Sequence, residues 1–335
     1  MEKVVRKAYV DSRGAIVFSD IVCVDGHSNL CRYRIVTHIH YDHILDIDRS
    51  IARCRYIIAT PITFDLLECL GYTMPRIKKR SLNYGEQLDI GSARIRLVYA
   101  EHIPGSAQVV FETDEGIYAY TGDFKHAGTK TPILKDVDIL VVDATYGDPS
   151  HRRPSEDEIE EQFAKLVQNL LMQGPVTIYA YFGKACEAMM ILRRHGLDAP
   201  FIASTKHWLI ANKLRKYGFE IEDLYLDGTP EAEELKKFSW YVKFEHYAKF
   251  RDSAKRRGTH IVLSGWLFNR PVKQISSNVW IVALSDHADF EDVLHYVDEA
   301  RPRLLIVDAF RGNLAARRFA KYVRERLGIL AEAMP

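Results

Sequence analysis

The chain has 335 residues, 47% of them hydrophobic and 27% charged, with a formal net charge of +1. That is long enough for one large domain or two fused domains with a sizeable core, and it excludes bulk disorder. It also excludes a global field that would attract nucleic acid or an acidic membrane, so any positive charge facing a polyanion has to be local.

Basic runs occur at Arg76-Ile77-Lys78-Lys79-Arg80, His151-Arg152-Arg153, Arg193-Arg194 and Lys255-Arg256-Arg257, each equally readable as a solvated face. Cysteines stand at 23, 31, 54, 69 and 186 with no Cys-x-x-Cys, which argues for a reducing compartment and against a disulfide or cysteine-zinc framework. The N-terminal run 1–11 lacks the apolar stretch of a signal peptide, and no apolar run is long enough to span a membrane. The expected location is the cytoplasm.

In chain order, the first 145 residues read as short strands at 15–18, 34–37, 56–59, 94–99, 108–113, 117–121 and 139–142, with a helix at 61–69 opened by Pro61. After Tyr146-Gly147-Asp148-Pro149 the texture changes to strand-helix alternation. An acidic-to-apolar amphipathic helix is expected at 155–172, with Ser155 at its start. A strand at 176–181 precedes a helix at 184–195, and a strand at 201–203 precedes a helix at 206–217. Charged helices are expected over 231–257, strands at 260–263 and 279–284, a helix at 290–300, a strand at 304–307 and a last helix at 315–327. The middle of the chain therefore reads as a small α/β unit with parallel strands.

Chemistry concentrates in Thr37-His38-Ile39-His40-Tyr41-Asp42-His43, directly after a strand. Residues two apart in extended backbone share a side, so His38 and His40 can bind one ion. A turn then brings Asp42 and His43 to a second ion. Imidazole with carboxylate suits zinc, and manganese or iron as well. His102 and Asp123 each follow a strand, where a β-rich scaffold displays its loops, and both are candidate ligands. Asp123 can bridge two ions through its two oxygens.

The order Asp11, His38-x-His40-x-Asp42-His43, His102, Asp123 resembles the metallo-β-lactamase superfamily. Val141-Val142-Asp143-Ala144-Thr145-Tyr146-Gly147 is similar to the first extra motif of its β-CASP nucleases, and Leu284-Ser285-Asp286-His287-Ala288-Asp289 to the second. Gly183-Lys184-Ala185-Cys186-Glu187 matches their cap, and Ser264-Gly265-Trp266 resembles the exonucleases that accompany DNA repair ligases. The Ser-Asp-His form is closer to Artemis-type DNA nucleases than to RNA-cutting members.

The resemblance implies an α/β fold: a metallo-β-lactamase αββα sandwich over 1–146 and 281–335, with a smaller α/β β-CASP cap domain inserted over 147–280. It implies a two-metal nuclease, a DNA exonuclease in first place, with two divalent ions, zinc or manganese, and nucleic acid and repair or processing proteins as partners. His38, His40 and His102 would hold one ion, Asp42 and His43 the other, and Asp123 would bridge. His287 would serve as a ligand or as the acid that protonates the leaving oxygen. Asp143 would orient a histidine or water, or cap its own turn. Asp11 would support the site or merely begin the turn Asp11-Ser12-Arg13-Gly14. RNA-cutting members have a histidine after a late strand. Asp308 stands at that place, either as a substitute ligand or as a strand-end cap. Ser106 and Lys184 are candidate phosphate-binding residues; close packing around Gly183 is the alternative. An RNA-processing nuclease, a small ester or thioester hydrolase and an inactive binding protein remain as other readings.

Overall fold

The computed structural model describes residues 7–219, 221–255 and 258–335. Residues 1–6 of the N-terminal run, and Arg256 and Arg257 of one basic run, lie outside the described residues. Two compact units emerge. One joins 1–151 to 286–335, and the other is Arg152–Ser285.

Among the described residues, the first unit opens with a six-stranded sheet in the order β1 (Ala8–Val10), β2 (Ile16–Phe18), β3 (Val22–Val24), β4 (Tyr33–Ile35), β5 (Tyr56–Ala59) and β6 (Lys79–Ser81). Helix α1 (Ile47–Arg53) leads into β5, and α2 (Pro61–Leu70) follows it. Pro61 lacks the N–H that a first turn would leave unpaired, and the Thr60 hydroxyl accepts the Thr63 N–H. A second sheet begins with β7 (Gln87–Asp89), β8 (Ala93–Tyr99), β9 (Ala107–Thr113), β10 (Gly116–Tyr120) and β11 (Ile139–Val142).

The second unit starts with α3 (Glu156–Leu171), capped by the Ser155 hydroxyl. It continues through β12 (Val176–Ala180), α4 (Lys184–Arg194), β13 (Phe201–Ala203), α5 (Thr205–Leu214), β14 (Leu224–Leu226), α6 (Pro230–Lys237), β15 (Val242–His246), β16 (Thr259–Leu263), β17 (Val272–Ser276) and β18 (Val279–Val282). The sheet order is β14-β13-β15-β12-β16-β18-β17, and only β17 runs antiparallel. Strand β15 corrects the helical reading of 231–257. Val242 and Phe244, two apart, are fully buried, which is strand periodicity. The unit ends at Ser285 rather than 280 because β18 pairs with β16.

The chain returns to the first unit with α7 (Phe290–Ala300), β19 (Leu304–Asp308), α8 (Ala309–Leu327) and β20 (Ala331–Met334). The completed second sheet has the order β20-β19-β11-β10-β9-β8-β7. One of its faces packs against the first sheet through residues such as Phe18, Ile35, Leu97, Phe111 and Val141. The other packs against α7 and α8 through Leu140, Val142, Phe290, Val297 and Phe319. All five cysteines are free thiols. No helix among the described residues is long and apolar enough to cross a membrane.

Candidate metal centre

Within the second sheet, β8, β10, β11 and β19 run in one direction. Their C-terminal ends therefore lie along one edge. His102 follows β8, Asp123 follows β10, Asp143 follows β11, and Asp308 closes β19. In the first sheet Asp25 follows β3, and Thr37 and His38 follow its parallel neighbour β4. The 3-10 turn Tyr41–His43 then folds His43 inward.

His38, His40, His102 and Asp123 bring ligating atoms within 4.8 Å of one another. Asp25, His38 and His43 form a second such group, and Asp123, Asp143 and His287 a third. Asp123 is the common member of the first and third. Its Oδ2 lies 3.1 Å from His43 Nε2, 3.4 Å from His38 Nε2, 3.6 Å from His102 Nε2 and 3.7 Å from His287 Nδ1. Asp42 reaches the same point from the solvent side: its Oδ2 is 3.3 Å from His43 Nε2, and its side chain is 51% exposed.

The hydrogen bonds assign the tautomers. His43 Nδ1 donates to Asp25 Oδ2 at 2.7 Å. The Thr37 hydroxyl donates to the same oxygen at 2.5 Å and accepts from His38 Nδ1 at 3.0 Å. His102 Nδ1 donates to the Asp286 carbonyl at 2.8 Å. Each ring thus turns Nε2 inward, that of His102 against His40 Nδ1 at 3.1 Å. His38 Nε2, His43 Nε2 and Asp123 Oδ1 are buried without a hydrogen-bond partner. Lone pairs that face carboxylate oxygens repel one another, and a cation among them removes the repulsion. The donor set fits a divalent ion.

Burial and the neighbouring imidazoles push His38 and His102 well below the usual imidazole range. The neutral ring is the form that ligates. At His43 burial acts the same way, but the Asp123 and Asp42 carboxylates outweigh it and raise the pKa. Burial would raise Asp42, but His43 and Arg311 together hold it well below the usual carboxylate range.

His287 faces Asp143 as well as Asp123. Its Nδ1 donates to Asp143 Oδ2 at 3.1 Å, while the Thr145 N–H and hydroxyl hold Asp143 Oδ1 at 3.0 and 2.7 Å. The Ala288 N–H on the Phe124 carbonyl fixes this loop beside Asp123.

Four further candidate residues have other partners. Asp308 joins none of the three groups. It is fully buried; its Oδ1 caps α8 by accepting the Phe310 and Arg311 N–H groups, and its Oδ2 receives the Arg311 guanidinium at 2.6 Å. A helix that starts directly after a strand leaves amide N–H groups that a carboxylate satisfies. Ser106 is buried, and its hydroxyl accepts the Ile103 N–H, closing the loop after His102. Lys184 is buried, with Nζ donating to the Leu284 carbonyl within the second unit. Asp11 begins its turn by accepting the Arg13 and Ala15 N–H groups.

The supporting aspartate is Asp25, which the sequence reading missed. Its place at the end of a strand just before the histidine run was the available signal. Arg311 was missed too. Its side chain is 3% exposed. It donates to the carbonyls of Gly14, Asp25 and Asp42 at 3.0, 2.9 and 2.9 Å, and its Nε lies 3.8 Å from Asp42 Oδ2.

No family model matches the chain. A protein of Acidianus ambivalens, described as an uncharacterized protein in the lig 3' region, is 46% identical over 138 residues, covering 41% of this chain and 98% of that one. The DNA cross-link repair protein SNM1 of Arabidopsis thaliana is 23% identical, covering 88% of this chain and 63% of that one. The probable RNase MJ4 of Methanocaldococcus jannaschii is 25% identical, covering 72% and 66%. The chain thus spans somewhat less than two thirds of the SNM1 protein and about two thirds of the RNase. A solved structure of a protein of unknown function from Enterococcus faecalis V583 superposes with a TM-score of 0.54 at 14% identity, over 82% of this chain and 74% of that one, a likeness of fold.

Proposed function

Because the chain belongs to the metallo-β-lactamase superfamily, and within it to the β-CASP group, we propose that it is a metal-dependent nuclease hydrolysing phosphodiester bonds. The observation that carries this reading is the Asp143–His287 pair set against Asp123, beside the buried histidines. A bare hydrolytic site needs only ligands; a histidine hydrogen-bonded through Nδ1 to a carboxylate beside them suits protonation of a leaving alkoxide.

In this reading His38, His40, His102 and Asp123 would hold one ion, and Asp42, His43 and Asp123 the other. When bound, the ions supply Lewis acidity toward a phosphoryl oxygen and lower the pKa of a water. Asp25 orients His43 and, through Thr37, His38. Asp143 orients the His287 ring, whose Nε2 gives a proton to the departing sugar oxygen. Zinc is the expected metal, with manganese as the alternative. The free thiols fit a reducing cytoplasm.

DNA is the proposed substrate, cut from an end. The name of the SNM1 relative favours it. RNA is the second reading, favoured by the name of the Methanocaldococcus relative. The test incubates end-labelled single- and double-stranded DNA and RNA with zinc- or manganese-loaded protein beside an Asp42→Ala control. Stepwise shortening of DNA that the control abolishes is expected. Cleavage of RNA alone overturns the DNA preference. No cleavage of any polymer by metal-loaded protein overturns the nuclease reading in favour of a small ester or thioester substrate.

A further inference from the structure

Three of the free thiols meet on one face of the first sheet. Cys23 on β3 is paired with Val17 on β2 and with Arg34 on β4. Paired residues point to the same side of a sheet, so these side chains emerge together. Val22, Val24 and Ile35 alternate with them and fill the opposite face, toward the second sheet. Cys31 lies in the segment before β4, where its N–H donates to the Ser28 carbonyl. Cys54 stands at the C-terminal end of α1. The Cys31 and Cys54 thiols are both hydrogen-bonded to that of Cys23, and Cys54 Sγ donates to the Cys31 carbonyl at 3.9 Å. Cys23 is fully buried, and Cys31, at 6%, is the most exposed of the three. In sequence the three are far apart and form no motif; only the fold brings them together.

A short chain of contacts joins this cluster to the metal centre. In the segment that carries Cys31, His27 Nδ1 is hydrogen-bonded to Ser50 Oγ at 2.9 Å. The same oxygen accepts from the Arg34 guanidinium at 3.0 Å, and Arg34 also donates to the carbonyls of His43 and Leu45 at 3.0 and 2.7 Å. Arg34 is fully buried, and its Nε has no hydrogen-bond partner. Cys23 and Cys54 are among the groups whose charge acts on it. A disulfide holds its sulfurs about 2.05 Å apart, much closer than hydrogen-bonded thiols lie, so bond formation draws two sulfurs together. Strand β3 is fixed between β2 and β4. The displacement therefore falls on the segment of Cys31 and His27, and from there on Ser50 and Arg34.

We propose that Cys31 and Cys23 form a peroxide-responsive thiol pair, whose disulfide weakens metal binding through His27, Ser50 and Arg34. The Cys31 sulfur, the outermost of the three, attacks one oxygen of hydrogen peroxide. The O–O bond breaks, an S–O bond forms, and the Cys31 proton leaves with the other oxygen as water, giving a sulfenic acid. The Cys23 sulfur then displaces the hydroxyl from Cys31. An S–S bond forms, the S–O bond breaks, and the hydroxide leaves as a second water with the Cys23 proton. The two thiols together lose two electrons, and the peroxide gains them. A dithiol reductant reverses the bond, so the pair stays reduced in a reducing compartment until peroxide reaches it. The inference needs the metal centre but not the nuclease reading.

The test treats the full chain with a small excess of hydrogen peroxide, blocks the remaining thiols with iodoacetamide in denaturant, and maps tryptic peptides without reduction. Peptide 14–32 holds Cys23 and Cys31 and no other cysteine. It is expected to lose two hydrogens and to escape alkylation at both positions. Zinc affinity, read by titration against a chromophoric chelator, is expected to weaken by at least about fivefold, the lower end of usual coupling between sites, and to return with dithiothreitol. Cys31→Ala and Cys31→Ser, checked for folding by circular dichroism, are expected to keep their affinity through the same treatment, and Cys54→Ala to respond like wild type. Peptide 14–32 joined to Cys54-Arg55, or alkylated at both cysteines, overturns the pair. So does a Cys31 sulfinic acid with no bond. A bond that leaves zinc affinity unchanged overturns the link to the metal centre. Because the wild type is compared with itself before and after dithiothreitol, the result stands even where a variant fails to fold.

Discussion

At the scale of single residues, the site is held by groups that never need to touch a substrate. Asp25 accepts the Thr37 N–H and hydroxyl and the His43 Nδ1 proton, and so sets two inward-facing nitrogens at once. Asp25→Asn puts an amide donor against donors. Partners of this kind are typically worth about 10–100-fold in metal affinity, and that loss is expected in a competition titration against a chromophoric chelator. Unchanged affinity would remove Asp25 from this role. The Asp308–Arg311 pair presents a different balance. Both side chains are buried, so Arg311→Met strands a carboxylate. A cost of about 3–5 kcal/mol in urea unfolding follows, and Asp308→Asn/Arg311→Met is expected to recover most of it. A single variant that costs less than about 1 kcal/mol would show that the pair is not the anchor. The histidine run was legible because its candidate ligands are neighbours in sequence. Arg311 was not, since its link to Asp42 spans 269 positions. Asp25 and Asp11 look alike on paper; only the hydrogen bonds separate a ligand support from a turn former.

At the scale of elements, strand ends and helix starts do the positioning. The loop after His102 docks on the start of α2, where the Thr60 and Thr63 hydroxyls both donate to the Gly105 carbonyl at 2.9 Å. Gly105 has φ +92°, and a Cβ there would lie 2.8 Å from Thr63 Oγ1 and 2.9 Å from Thr63 N. Gly105→Ala therefore meets both a left-handed backbone and the hydroxyl and backbone N of Thr63. It is expected to cost about 1–3 kcal/mol and to weaken metal binding by shifting His102, read by a thermal melt and the same chelator titration. Retention of both would show that the loop adapts. Alternating and amphipathic patterns made most strands and helices of the first unit readable from sequence. Strand β15 was not, because Lys243, Glu245 and the charged segments around it mask two buried apolar residues, Val242 and Phe244. The last helix was expected from 315, but it starts at Ala309 and breaks at Asn313, where φ is 49° and ψ is −126°. Asp308 caps its true beginning.

At the scale of the whole molecule, the two units can be followed separately, because all four tryptophans, Trp208, Trp240, Trp266 and Trp280, belong to the second unit. Tryptophan fluorescence therefore reports the unfolding of that unit alone. Its buried histidine, His207, makes that unfolding depend on pH. Burial is the largest cause and His246 adds to it; Glu245 and backbone carbonyls oppose them, and the pKa settles at about 4. Unfolded, the same imidazole titrates near about 6.5. Between these values the unfolded chain binds the proton and the folded one does not, so stability rises with pH. The contribution is complete above about pH 6.5, falls as the pH drops below that value, and is exhausted below about pH 4. Lowering the pH from 8 to 4.5 should remove about 2–3 kcal/mol through this residue. The measurement is urea unfolding by tryptophan fluorescence at both pH values, for wild type and His207→Gln. The variant removes the titrating group, so its loss between the two pH values should be smaller than that of wild type by this amount. Equal losses in the two proteins would mean that His207 takes up its proton without unfolding the sheet edge on which Phe182 and His246 pack.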